Sequence, residues 1–267
     1  MTASLRPLRI GKAHTMSKAM NASKPSSADR LGSDLAGRID ALDWRGIEAD
    51  LDARGSARIE GLLDAATCDE LRAFYDDEGR FRSRIVMARY GFGSGEYKYF
   101  AYPLPETVMT LRTRIYPHLA PLATRWFERM GLEAPFPEAH EDFLDRCHAA
   151  GQTRPTPLLL EYGAGDYNCL HQDLYGPKVF PLQVAILLSE PDHDFEGGEF
   201  VLVEQRPRMQ SRAEVVALRR GDAVVFAVSE RPVAGTRGDY RVKMRHGVSR
   251  IRSGRRHTLG VIFHDAA

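Results

Sequence analysis

The chain has 267 residues, enough for one large domain or two small ones, and its hydrophobic fraction of 43% supports a sizeable core. With 37 basic against 36 acidic residues the net charge is +1, which excludes a global electrostatic case for nucleic acid or membrane as partner. Cys68, Cys147 and Cys169 are too few and too far apart for a disulfide framework or a zinc cluster, and no apolar run approaches the ~18 residues of a membrane span, so a soluble protein of the reducing cytoplasm is expected.

Residues 1–35 mix Ser, Ala, Lys and Arg without hydrophobic periodicity and are expected to form a flexible tail, leaving 36–267 as a single domain. Ile39, Leu42, Trp44, Ile47 and Leu51 recur at near-helical spacing and predict one helix that ends at Gly55. A short strand over 57–60 and an amphipathic helix from Asp64 follow. Two aromatic strands carrying Tyr90, Tyr97 and Tyr99 flank Gly91-Phe92-Gly93-Ser94-Gly95. These glycines do not make a dinucleotide fingerprint, which has to open a helix. Helical periodicity returns over 106–130 and 138–147.

From Leu158 onward the pattern changes to short strands, with candidates at 157–163, 169–175, 182–189, 199–204, 213–219, 222–228, 241–248 and 256–264. Strands at this spacing with no helix between them predict a two-sheet jelly roll over 157–265, supported by the helices of 36–156. The fold class expected is α+β.

Leu170-His171-Gln172-Asp173 places an H-x-D step inside the second of these strands, where alternation would point His171 and Asp173, with Cys169, to one face. Two histidines and one carboxylate make an iron(II) site, so a distant histidine is required. His246, His257 and His264 are the late candidates, and His246, facing the pair across the roll, is the choice. Arg256 follows at the head of the last strand and offers a bidentate clamp for the far carboxylate of a reducing dicarboxylate cosubstrate. By strand parity Thr258, Gly260 and Ile262 share its face, and His257 points away.

These residues resemble the iron(II)/2-oxoglutarate-dependent dioxygenases over about 157–265. That resemblance implies a double-stranded β-helix, metal ligands His171, Asp173 and His246, and Arg256 on 2-oxoglutarate. It also implies O2 as oxidant, with ascorbate as an accessory reductant. Glu161-Tyr162-Gly163-Ala164-Gly165 running to the H-x-D step is similar to the alkylation-repair branch, in which a tyrosine at the place of Tyr162 contacts 2-oxoglutarate; Leu160 stands where that branch carries asparagine. Gly197-Gly198-Glu199-Phe200 and the strand from Arg256 look instead like the prolyl-hydroxylase branch; Thr258, hydroxylated and on the Arg256 face, is with Tyr162 a weaker expected cosubstrate contact. The same Gly-Gly-Glu-Phe is a literal match to the diguanylate cyclase signature, but the cyclase domain around it is absent.

The resemblance therefore implies hydroxylation of a C–H bond with release of succinate and CO2, on damaged nucleic acid or on a protein side chain. The arginines and lysines of 231–256, expected as a loop, form a basic strip that could steer a phosphate backbone or stay as a solvated face. A non-catalytic cupin-like metal protein and a nucleic-acid-binding module are the alternatives of other classes.

Overall fold

The computed structural model describes residues 27–133, 136–174 and 176–267, with side chains from Asp34 onward. Five helices run in the order α1 (Ser27–Asp40), α2 (Trp44–Arg54), α3 (Ala65–Ala73), α4 (Glu106–Arg129) and α5 (His140–Ala149). The early strands are β1 (Ser56–Ile59), β2 (Phe81–Val86), β3 (Gly93–Ser94) and β4 (Glu96–Phe100), and then β5 (Leu158–Tyr162), β6 (Tyr167–His171) and β7 (Leu182–Leu187). The remainder are β8 (Phe195–Gly197), β9 (Phe200–Gln205), β10 (Arg212–Val216), β11 (Ala223–Ala227), β12 (Glu230–Gly235), β13 (Gly238–Val248), β14 (Ile251–Gly254) and β15 (Arg256–Val261).

All strand ladders are antiparallel and form two main sheets, one in the order β1-β11-β7-β15-β5-β4-β2 and one in the order β10-β9-β13-β6-β3, with β12 also on β13. This is the expected α+β double-stranded β-helix. The helical half contributes β1, β2 and β4 to the larger sheet as well as its support. No helix among the described residues is long and apolar enough to cross a membrane.

Strand alternation divides the apolar residues between two cores. On β7, Leu182, Val184 and Ile186 join the core that the larger sheet shares with the helices, while Ala185 and Leu187 turn into the roll. β11 does the same with Ala223, Val225 and Ala227 against Val224 and Phe226. Strands covered on both faces read as continuous apolar runs, which is why these two stood out in the sequence. α4 packs Leu111, Ile115, Leu119, Leu122 and Trp126 along one stripe and stays helical through Pro117 and Pro121.

Three expectations need revision. The near-helical run from Ile39 is two helices, because Asp43 leaves helical geometry and its carboxylate accepts from the Gly46 amide at 3.1 Å, capping α2 anew. α1 begins at Ser27, inside the stretch expected as tail, and buries Leu35 and Ile39; residues 1–26 of that expectation lie outside the described residues. The basic strip of 231–256 is mostly strand (β12, β13 and β14), since outward Arg241, Lys243 and Arg245 alternate with inward Val242, Met244 and His246.

The segment that follows β15 is clasped to α4. Arg112 is fully buried and donates from Nε to the Ile262 carbonyl at 2.8 Å and from Nη2 to Asp265 at 2.7 Å, while the Tyr102 hydroxyl bonds Asp265 at 3.0 Å. Burial pushes the Asp265 carboxyl up, but Arg112, His148 and Tyr102 outweigh it and hold it below the ordinary range. Stability from a lowered carboxyl is present at neutral pH and is lost as pH falls through that lowered value. Asp265→Asn, which strands a buried cation, should cost about 3 kcal/mol at pH 7. The difference from wild type should shrink below about pH 4. Denaturant unfolding of both proteins across pH measures this, and a constant difference would mean that the carboxylate charge is not what holds the clasp.

Candidate active site

β6 meets β13 with His171 opposite His246 and Asn168 opposite Val248, so an extra residue of β6 lies across from Gly247. This β-bulge breaks the simple alternation. Asn168 and His171 line the cavity between the sheets, whereas Cys169, expected on the His171 face, is exposed and absent from the lining. The strand also stops at His171 rather than running on to Asp173, because β12 takes the same edge of β13 over Gly238–Lys243. Past that point the Gln172 side chain donates to the carbonyls of Ser229 at 3.0 Å and Met244 at 2.9 Å, and Asp173 turns inward.

His246 is therefore the lateral neighbour of His171 in one sheet, not its partner across the roll. The Asp173 carboxylate lies 3.4 Å from His171 Nε2 through one oxygen and 3.4 Å from His246 Nε2 through the other. One ligand atom from each of the three residues falls within 4.8 Å of the others. His171 Nδ1 is 2.8 Å from the Cys169 carbonyl, an acceptor only, so Nδ1 donates to that carbonyl and Nε2 is the ring nitrogen turned toward Asp173. His246 is held by packing, its ring centroid 4.6 Å from Phe226 and 4.2 Å from His171.

Burial would raise the Asp173 carboxyl, yet its hydrogen bonds to the two imidazoles dominate and hold it well below the ordinary carboxylate range. Burial lowers both histidines; in His171 the hydrogen bond to and charge of Asp173, together with backbone hydrogen bonds at Cys169 and His246, offset it and the pKa ends raised, whereas His246 ends lowered. Two imidazoles and one carboxylate, with one ligand atom from each brought within 4.8 Å of the others, match the donor set of a non-haem iron(II) site.

The three other predicted residues meet at one end of the same cavity, whose volume is about 270 Å3. Arg256 on β15 is the register partner of Tyr162 on β5, and both are buried. The Arg256 guanidinium donates to Thr258 Oγ1 and lies 5.9 Å from the Tyr162 ring centroid and 5.8 Å from that of Phe195. Burial draws its pKa down to about 10, which leaves it charged at neutral pH. The Gly197-Gly198 turn makes room for it, for both glycines have positive φ and a Cβ on Gly198 would stand 2.9 Å from Arg256 Cδ.

The remaining predicted features lie elsewhere. His257 faces away, 2.9 Å from Glu161, and His264 accepts from the Phe180 amide at 3.2 Å. Arg231, counted in the basic strip, is buried against Glu204 at 2.5 Å, and Arg241 donates to the Met130 carbonyl at 2.6 Å. Lys243 and Arg245 are exposed on the outer sheet face. Of the aromatics, Tyr99 is buried and Tyr97 lines the cavity, while Tyr90 is 59% exposed and stacks on Phe92 at 5.5 Å.

Sequence reasoning missed Asn168, whose amide lies 3.3 Å from the Tyr162 hydroxyl, and Gln183, a buried polar residue on the wall. The signal for Gln183 was present, since it is the one polar side chain within the apolar run of β7.

The Oxygenase-NA family, described as an oxygenase catalysing oxidative methylation of damaged DNA, matches residues 95–266. The uncharacterized protein Rv2227 of Mycobacterium tuberculosis is 53% identical over 190 residues, 71% of this chain and 79% of that protein. A prolyl-4-hydroxylase from Pseudomonas putida is similar in structure with a TM-score of 0.50 at 13% identity, over 84% of this chain and 99% of that one. An oxidoreductase of the 2OG-Fe(II) oxygenase family from Burkholderia pseudomallei gives a TM-score of 0.50 at 15% identity, over 85% and 94%. At these identities the two structures show a shared fold.

Proposed function

Because the chain belongs to the Oxygenase-NA family and is an enzyme of the 2OG-Fe(II) oxygenase class, we propose that it hydroxylates a C–H bond of a damaged nucleobase, using O2 and 2-oxoglutarate and releasing succinate and CO2. His171, Asp173 and His246 would hold the iron(II), and Arg256, aided by Thr258 and Tyr162, the distal carboxylate of 2-oxoglutarate. Iron(II), when bound, supplies the oxygen activation that side chains lack.

The observation that carries the cosubstrate assignment is the Arg256 guanidinium. It is 2% exposed, and among the described residues no carboxylate lies within 4.0 Å of it. A buried cation whose side-chain hydrogen bond goes to a hydroxyl, and on which the Glu199 carboxylate acts only from beyond 4.0 Å, is poorly compensated, and a carboxylate ligand supplies what is missing. Leu160, Phe200 and Phe226 line the cavity and keep water from the reacting groups.

The family description supports nucleic acid as the substrate. So does the exposed Tyr90–Phe92 pair, of which Phe92 lines the cavity, because bases stack on such faces. A hydroxylated N-methyl group leaves as formaldehyde, which makes the reaction easy to follow.

The test supplies iron(II), 2-oxoglutarate, O2 and ascorbate with N-methylated oligonucleotides, unmodified oligonucleotides or proline-containing peptides. Formaldehyde matching succinate on the methylated strands is the expected result. Succinate coupled only to peptide would move the assignment to side-chain hydroxylation. No 2-oxoglutarate consumption with any substrate would leave a cupin-like metal protein.

A further inference from the structure

One buried polar group in the cavity is used neither by the three metal-site residues nor by Arg256. Gln183 faces into the roll near the start of β7, lines the cavity and is 4% exposed, and its Nε2 is buried with no hydrogen-bond partner. Burying an unpaired amide donor costs free energy, so it calls for an explanation, and a ligand that accepts from it is the simplest.

Strand register locates this group. β15 pairs Thr258 with Leu187 and Gly260 with Ala185, so Gln183 stands one inward step beyond Ala185, away from Arg256. On the other side β11 pairs Phe226 with Gln183, and the Phe226 ring packs 4.6 Å from His246. The carboxamide thus lies toward the histidine end of the cavity and the guanidinium toward the opposite end, with Ala185 and Gly260 between them.

We propose that Gln183 is a positioning residue whose carboxamide donates a hydrogen bond to the 2-keto acid end of the cosubstrate, the end that Arg256 does not hold. This rests on the 2-oxoglutarate reading above. The keto acid oxygens only accept, and the carboxamide NH2 is a donor, so the pairing is chemically matched. A cation at one end and a neutral donor near the iron at the other also fix which way round the dicarboxylate lies.

The experiment uses the full chain loaded with iron(II) without oxygen and follows the visible absorption that arises when a keto acid chelates the metal. 2-Oxoglutarate and 2-oxobutyrate, which lacks the distal carboxylate, are titrated in turn. Gln183→Leu should weaken both about tenfold and shift the absorption, whereas Arg256→Met should weaken 2-oxoglutarate alone. Gln183→Glu should bind both more weakly than the leucine variant, because its carboxylate repels theirs.

Metal-free Gln183→Leu should unfold no lower than wild type; if it fails to fold, Gln183→Met carries the same titrations. Wild-type affinity and absorption in the leucine variant would overturn the proposal, as would a loss confined to 2-oxoglutarate. No absorption with 2-oxoglutarate in the wild type would instead overturn the cosubstrate reading on which this one stands.

Discussion

Asp173→Ala should lower iron-dependent succinate formation by more than about 100-fold, the upper range for losing a group that merely orients a ligand. Asp173 is the one carboxylate of the three-residue cluster, and its two oxygens address both imidazoles at 3.4 Å. Its removal leaves two neutral nitrogen donors and no anion to balance the metal's charge. The fold should survive, because Asp173 lies past the end of β6 and contributes no strand ladder. Metal content, succinate release and thermal unfolding of the purified variant check the three parts together. Full turnover in a buffer free of chloride and small carboxylates, which could occupy the vacated position, would sink the metal assignment.

Arg256→Met should act in opposite directions on binding and on stability. Loss of the charged partner of a buried carboxylate should weaken 2-oxoglutarate by about 3 kcal/mol, near two orders of magnitude in Kd. The metal-free protein should hold its melting temperature or gain, because the substitution replaces a poorly compensated buried cation with an apolar side chain of similar length. Arg256→Lys should restore only part of the affinity, for an ammonium makes no bidentate contact and would not reach Thr258 Oγ1 in the same way. Calorimetric titration of 2-oxoglutarate and a thermal scan without ligand measure the two effects. An unchanged affinity would remove Arg256 from the site, and a fall in melting temperature with intact binding would make it a structural residue.

Much of the fold could be read because burial leaves a period in the sequence. β7 and β11 are apolar on both faces and α4 carries its stripe at helical spacing, and all three lie close to where they were expected. β12 escaped because its pattern (Glu230-Arg231-Pro232-Val233) mixes charge with apolar residues, and its arginine is buried by an ion pair with Glu204 rather than by hydrophobicity. The break between α1 and α2 escaped because one capping carboxylate interrupts a spacing that otherwise continues.

The chemistry of the candidate site was legible as residue types. Two histidines, an aspartate and an arginine in a set order suffice to suggest iron and a dicarboxylate, since few side chains can ligate one and clamp the other. Their arrangement belongs to the tertiary structure. Whether His246 lies beside His171 or across from it, whether Cys169 shares the pocket, and where the strand ends before Asp173 depend on a bulge in β6 and on β12 competing for one edge of β13. Both are pairing choices between segments far apart in the chain. No local period encodes them, because an alternation of faces tells which residues share a side only until the partner strand forces a residue out of register.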